Sequence, residues 1–457
     1  MTTTIHELTN LDDAVNLYEP AFTQFLQSFE AKFQELQARL IGANLGSGQG
    51  LEYYKWLDFD YLSAINQQTK ALATQIKKQN YQHALVLGMG GSGINSLVLK
   101  NALQEFSITD HLSPNNSIPD WIIQNNLDPT SMLARIAKID LDKTLFIIIS
   151  KSGSTDEVKR NITTLLDYWS EQTKKDITEN FARQSVYITE PPREGKKNFL
   201  HTMRAELQSK TGVEAPFLEN DPNIGGRFSL FSPVGMFSAE LMGLDSEALI
   251  CGAKQVFDKF KQVKSIQDSV ISKLAILDIF LSRQGFQSRY SMVYADSLEA
   301  LNKFRAQLKG ESLNKNGIDS TVHVAGIGTV NHHSDLELLL KQNNKLILEQ
   351  VFFMQPTQDH VNHKSLDCLS DLSGQSNHQS LIANHIKPLY EYLIENKAPV
   401  IQTQIPAQDE ASLAAFCMQD MLVTVVEAGL QDALGSIEKL DLAVRQWEVE
   451  KYKSSLK

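Results

Sequence analysis

The chain has 457 residues, 42% of them hydrophobic and 21% charged, a composition that supports a large globular core and two or three domains. A net charge of −11 excludes an extended basic surface for nucleic acid or an anionic membrane, so an anion has to be held in a local pocket and a small ligand is expected. The start MTTTIHELTNLDD shows no basic region followed by an apolar run, no stretch of about 18 consecutive apolar residues is seen, and Cys251, Cys368 and Cys417 lack CxxC spacing; a cytoplasmic protein with buried, reduced thiols and no metal site is expected.

In chain order, residues 12–43 carry Phe22, Phe25, Leu26, Phe29, Phe33, Leu36 and Leu40 at three- and four-residue spacing, which predicts one amphipathic helix. An α/β block follows. HALVL leads into the glycine loop GMGGSG (88–93) and a helical INSLVLKNAL; LFIII leads into a serine loop and a helix; SVYIT precedes EPPREGKK. This alternation predicts a mostly parallel sheet with helices on both faces. The hydrophilic stretch from Glu190 to Asn223, with two adjacent prolines, reads as a long excursion or domain junction. A second block repeats the pattern with YSMVY, STVHVAG, KLILEQVFFM and APVIQTQI as strands. The run ASLAAFCMQDMLVTVVEAGL is then expected as a buried helix, and LDLAVRQWEVEKYKSSLK as a tail leaving the core.

Two loops carry chemistry. In LFIIISKSGSTDE an unbroken apolar run, suited to the centre of a parallel sheet, ends in Ser150, Lys151, Ser152, Ser154 and Thr155, with Thr155 placed to cap the next helix. Hydroxyls, one cation and the N–H groups of a helix start are built to hold an anion, most economically a phosphate; the bland reading is a serine-rich turn that caps its own helix. GMGGSG has the G-x-G-x-x-G spacing of dinucleotide sites, yet the acid expected at the end of the next strand is not evident, since Glu105 and Asp110 follow no clear strand. Gly90, Gly91 and Ser92 instead allow backbone N–H groups to approach a ligand closely.

The order GMGGS, SKSGSTDE, NIGGRFS, ESLNK, GTVNHHS and QWEVEKYK, spread over residues 80–453, resembles the phosphoglucose isomerase family, particularly its shorter bacterial forms. The serine motif is shared by many phosphosugar-binding domains; GGRFS together with ESLNK is far more specific. The resemblance implies two αβα sandwich sugar-isomerase domains with mostly parallel sheets, at 51–240 and 241–430. These are flanked by an N-terminal helical segment (1–50) and a C-terminal helical tail (431–457) that completes the active site. It implies a sugar phosphate substrate, interconversion of glucose 6-phosphate and fructose 6-phosphate through a cis-enediol, no metal or other cofactor, and a homodimer in which each site receives the neighbouring subunit's histidine.

Residue by residue, the resemblance puts Gly91, Ser92, Ser150, Lys151, Ser152 and Thr155 around the phosphate and gives Gly226 close approach to substrate. Glu311 matches the base, Arg227 the arginine that stabilises the enediol, His333 the ring-opening histidine, Lys453 its partner and Gln446 a glutamine near the phosphate. The residue types suit the reaction, which needs a carboxylate at C1 and C2, positive charge beside the enediol oxygens and a proton donor at the ring oxygen. Four positions depart from the family pattern: Asn314 stands for glycine, Ser152 for threonine, Glu448 for glycine and Glu337 for glutamine. Two other classes of function compete, a non-catalytic phosphosugar sensor, which has no need of Glu311, Arg227 and His333 together, and a nicotinamide-dependent dehydrogenase using the glycine loop.

Overall fold

The fully apolar run at 145–149 becomes a strand with every residue buried, as expected for the middle of a parallel sheet covered on both faces. The computed structural model describes residues 8–44, 54–105, 119–195, 197–313, 320–341, 345–355 and 378–431. Its strands are β1 Thr9–Asn10, β2 His83–Gly88, β3 Asp120–Gln124, β4 Thr144–Ile149, β5 Ser185–Thr189, β6 Phe217–Glu219, β7 Ser288–Val293, β8 Val322–Ile327, β9 Leu346–Gln355 and β10 Val400–Ala407. The described chain divides into two units, one within 37–254 and the other formed by residues 8–36 together with those between 255 and 431.

In the first unit the sheet runs β3-β2-β4-β5-β6, all parallel. The chain goes outward from β2 to β3, then returns to the other side of β2 for β4, so the order reverses between β2 and β4. In open α/β sheets that reversal leaves a crevice at the carboxyl ends of the two strands. The register sets Gly88 beside Ile149 and Ile149 beside Ile188, so the three strands end at one level and hand over to their loops together. One face is packed by Phe146 against Trp169 and Phe181, with ring centroids 5.5 Å apart in each pair.

In the second unit the order is β1-β10-β9-β7-β8, parallel except for the short β1. The helix Glu410–Leu430 is buried along its whole length and packs against the helices Val270–Arg283 and Glu299–Ser312. It is long and apolar enough to cross a bilayer, yet its apolar window is entirely covered by protein, the position of a core helix.

Three expectations are corrected. Residues 12–43 do not form one helix: Pro20 precedes a new start, and the segment is the helices Asp12–Asn16, Ala21–Gln27 and Glu30–Asn44. Proline cannot donate the hydrogen bond that a continuous helix requires there, although Phe22, Leu26, Phe29, Phe33, Leu36 and Leu40 are all buried. The stretch after Glu190 is part of the sandwich, since the helix Phe199–Thr211 lays Leu200, with Phe199, Met203 and Leu207, on the core, and β6 extends the sheet. Four apolar residues at helical spacing were enough despite the surrounding charge. Finally, Cys251 is exposed, on a helix face turned to solvent; Cys417 is buried, and Cys368 lies outside the described residues.

Charges occupy the interior of the second unit. Arg305 on the helix Glu299–Ser312 donates from Nη2 to both oxygens of Glu349 at 2.9 Å, from Nε to Asp420 and from Nη1 to Ser291 Oγ at 2.7 Å, all buried. A guanidinium fork matched by two carboxylates and a hydroxyl offsets the cost of desolvating it. Burial raises the Glu349 carboxyl, but Arg305 and Arg289 together more than offset it and hold the group well below the usual carboxylate range. Removing one partner strands the others, so Arg305→Met should lower stability by about 3–5 kcal/mol, read as a shift of the urea midpoint with an unchanged slope; a loss under about 1 kcal/mol would show that the network contributes little.

Candidate functional site

The crevice between β2 and β4 is filled by backbone. Gly90, at φ +55°, turns the chain from β2 into the helix Gly91–Leu99, a conformation that L side chains disfavour. Gly91 follows, and a Cβ there would sit 2.0 Å from the carbonyl oxygen of Gly226 and 2.9 Å from the nitrogen of Arg227. The glycine loop and the GGRFS segment therefore touch main chain to main chain. Ser229 Oγ donates to that same Gly226 carbonyl at 2.6 Å and in turn accepts from Asn95 Nδ2 at 2.9 Å, so the helix that begins at Gly91 also fixes the arginine's loop.

Arg227 lies in the short turn Gly226–Phe228 and is 1% exposed. Its guanidinium carbon is 5.2 Å from the Phe228 ring centroid, and Phe228 stacks on Trp56 at 5.0 Å with planes 15° apart. An aromatic pair thus sets the height of the arginine, a positive charge that cannot be lost in a buried setting.

Beside it, the serine loop is held from three directions. Ser150 N–H donates to the Ile188 carbonyl at 3.1 Å, Thr189 Oγ1 and the Glu190 N–H both donate to the Lys151 carbonyl, at 3.2 and 3.0 Å, and Leu200 N–H donates to the Gly153 carbonyl at 3.0 Å. Gly153 has φ +62°, and a Cβ on it would fall 1.8 Å from Asn198 Oδ1. Asn198 also caps the helix Phe199–Thr211 and donates to Thr189 Oγ1 at 3.1 Å. Thr155 stands at the N-cap of the helix Asp156–Thr173, as its position implied, but its hydroxyl is 2.8 Å from Ser150 Oγ and makes no cap bond. The hydroxyls form a cluster at a helix start, and Ser152 Oγ accepts from the Ser154 N–H at 3.3 Å. Neutral donors, a helix N-terminus and one lysine suit an oxyanion.

Gly91, Ser92, Ser150, Lys151, Ser152, Thr155, Gly226 and Arg227 therefore belong to one end of one sheet. Asn95, Asn198, Thr189 and Ser229 escaped the sequence reading. Asn198 had a local signal, as an N-cap before the apolar residues of FLHTMRAEL; the other three act across distant segments and had none. The strand beside β2 ends on Gln124, not on the acid that a dinucleotide ribose requires.

In the other unit, Glu311 occupies the last turn of the helix Glu299–Ser312 and is half-buried, accepting from Gln307 Nε2 at 2.9 Å. His333 closes the turn Val330–His332 after β8 and is exposed. His332, its neighbour, is instead anchored, with Nε2 2.9 Å from Tyr294 OH and its ring 5.2 Å from that of His385; burial first, then the two neighbouring histidines, pushes its pKa down. Glu337 is exposed on the helix Leu336–Leu340. Asn314, Gln446, Glu448 and Lys453 lie outside the described residues.

Among solved structures, the chain is similar to a hypothetical protein of Thermus thermophilus at TM-score 0.77, with 21% identity over 97% of both chains. It is also similar to a glucose-6-phosphate isomerase of Chlamydia trachomatis at TM-score 0.63, with 19% identity over 86% of this chain and 72% of that one. These likenesses show the fold. Curated relatives include glucose-6-phosphate isomerases of Carboxydothermus hydrogenoformans (28% identity over 57% of this chain), Rubrobacter xylanophilus (30% over 63%) and Thermus thermophilus (26% over 82%). The match spans 54%, 63% and 84% of those relatives' own lengths. Residues 66–378, well over half of the sequence and including both the glycine and serine loops, Arg227, Glu311 and His333, match the phosphoglucose isomerase family model, and with the crevice loops built as described the chain belongs to the phosphoglucose isomerase family.

Proposed function

We propose that this protein is a glucose-6-phosphate isomerase, interconverting glucose 6-phosphate and fructose 6-phosphate in the cytoplasm without a metal or other cofactor. The observation that carries the reading is the pairing of two anion-type loops at the β2/β4 reversal, in a chain of this family, with Gly91 seated directly on Gly226 and Arg227. The hydroxyls of Ser92, Ser150, Ser152 and Thr155, with Lys151, take the phosphate, a role to which Gln446 is assigned by its match to the family pattern. His333 and Lys453 serve ring opening. The Glu311 carboxylate removes the C2 proton of the open-chain aldose, the freed electron pair forms the C1–C2 double bond, and charge moves to the C1 oxygen, where Arg227 stabilises it. O1 then gains a proton and O2 gives one up, so that the proton held by Glu311, returned to C1, leaves a ketone at C2 and a hydroxyl at C1. The balance is closed, since a hydrogen changes carbon and no external oxidant or reductant is consumed.

The working protein is proposed as a homodimer. His333 is exposed in the single chain, and the turn and helix next to it in sequence leave Val330 65% and Leu338 52% exposed. Apolar surface beside a catalytic histidine favours cover by a second copy.

A coupled assay supplied with fructose 6-phosphate alone should yield glucose 6-phosphate. Glu311→Gln keeps size and loses basicity, so it should bind the sugar phosphate nearly as wild type while turnover falls by a factor on the order of 10²–10⁴; near-normal turnover would name a different base. Replacing Ser152 and Thr155 together with alanine removes two donors to a charged group, each contributing about 1.5–3 kcal/mol. Affinity for sugar phosphate and for inorganic phosphate should drop in parallel, whereas unchanged phosphate competition would give the loop another role. Mixing the inactive Glu311→Gln and His333→Ala chains under conditions of subunit exchange should restore part of the activity through hybrid dimers, and an active monomer in sedimentation at assay concentration would end the shared-site reading.

A further inference from the structure

The helix Glu299–Ser312 delivers Glu311 on its final turn, and a helix end is the part of a helix most prone to fray. What holds this end is a chain of alternating buried charges. Lys309, two residues before Glu311 and 3% exposed, lies 3.1 Å from Asp278 Oδ2 and 3.6 Å from Glu427 Oε2. Asp278 is paired on its other oxygen with Arg289 of β7. Glu427, fully buried on the helix Glu410–Leu430, receives on its other oxygen the hydroxyl of Ser320, nine residues after Glu311. One carboxylate thus faces groups on both sides of the base in sequence, one from the helix and one from the start of the segment that becomes β8.

We propose that Glu427 is a positioning residue for Glu311: its two oxygens, one at Lys309 and one at Ser320, fix the two ends of the segment that carries the base. The role rests on the reading of Glu311 as the base. It differs from that of the Arg305 cluster, which joins the helix to Ser291, Glu349 and Asp420, none of them in the stretch that runs from Glu311 into β8. An ion pair and a hydrogen bond from one buried stretch of helix pre-organise a carboxylate in the way that catalytic geometry demands, where a shift of about 1 Å costs roughly a hundredfold in rate.

The clamp is sensitive to protonation. Burial pushes the Glu427 carboxyl up to about 7, with Asp278 adding to the effect and Lys309, Ser320 and Arg289 opposing it. The groups facing this end are Lys309 and Arg305 of its own helix bundle, Asp278, Arg289, Glu349, Asp420 and His323, whose imidazole burial keeps neutral. Because the folded pKa is raised, folding favours the neutral acid: that contribution to stability is complete below the ordinary carboxylate range and is lost as pH rises through about 7. The ion pair with Lys309 exists only above that pH. The protein therefore gives up stability in the range where the base is clamped.

The test compares full-length wild type with Glu427→Gln and, because a buried substitution can compromise folding, with Ser320→Ala, which removes one hydroxyl. Expected are kcat values roughly ten- to a hundredfold below wild type with KM within about twofold, and losses in the double variant no larger than in Glu427→Gln alone, as for residues acting through one link. The ratio of wild-type to Glu427→Gln kcat should rise as pH increases through about 7, while the melting temperature of Glu427→Gln gains on that of wild type over the same interval. If both single variants keep wild-type kcat, or lose it by a factor independent of pH, Glu427 does not position the base. Wild type inactive on fructose 6-phosphate would overturn the isomerase reading itself and this role with it, an outcome distinct from active wild type with indifferent variants.

Discussion

The carbonyl of Gly226 occupies the space where any side chain on Gly91 would be. This contact between two main chains joins the end of β2 to the loop that carries Arg227, and much else in the first unit follows from it. The sheet must reverse its order between β2 and β4 to leave the crevice, Gly90 must take a positive φ to turn the chain into it, and Ser229 with Asn95 must hold the Gly226 carbonyl so that the approach persists. Any Cβ at position 91 would push the arginine away from the serine loop's side of the sheet, because backbone atoms cannot yield as a flexible side chain can.

The two units solve different electrostatic problems. In the first, hydroxyls, backbone N–H groups and a helix start gather at one strand end with Lys151 as the formal charge in the loop, so the proposed phosphate site carries little charge of its own that needs compensation. In the second, charge is built into the core: Arg305, Arg289 and Lys309 are matched against Glu349, Asp420, Asp278 and Glu427 out of contact with water. Burying such groups rarely adds net stability relative to a well-packed apolar core, but they specify geometry strongly. The helix that bears this burden, Glu299–Ser312, is also the one that ends in Glu311.

Periodicity and composition were sufficient for β2 and β4, whose apolar runs are buried on both faces, and for β5, β7, β8, β9 and β10, whose β-branched and aromatic residues mark them as strands. They were insufficient for β3 and β6, whose short runs DWIIQ and FLE sit among polar residues, and for the helix at Phe199, whose four core residues are interrupted by polar and charged ones. The serine and glycine loops were legible as strand-end loops that lead into helices, and as candidates for an anion, because glycine and hydroxyl residues gather there. Glu311, Arg227 and His333 were legible only through their motifs, since a single acid, arginine or histidine has no local pattern that separates function from a solvated face. The buried partners Glu427, Asp278 and Ser320 left no trace at all: they come from three distant segments, and only folding makes one cluster of them.

The central step of the proposed isomerisation is a proton carried between two carbons of the same substrate by a carboxylate. Conversion of fructose 6-phosphate in D2O measures that step, because a proton held on a carboxylate exchanges with solvent before it is returned. Deuterium at C2 of the recovered glucose 6-phosphate is the predicted result, in amounts between a trace and one atom per molecule. Product formed with no deuterium at C2 would point to direct hydride transfer between the carbons, and would contradict a base at the centre of this site.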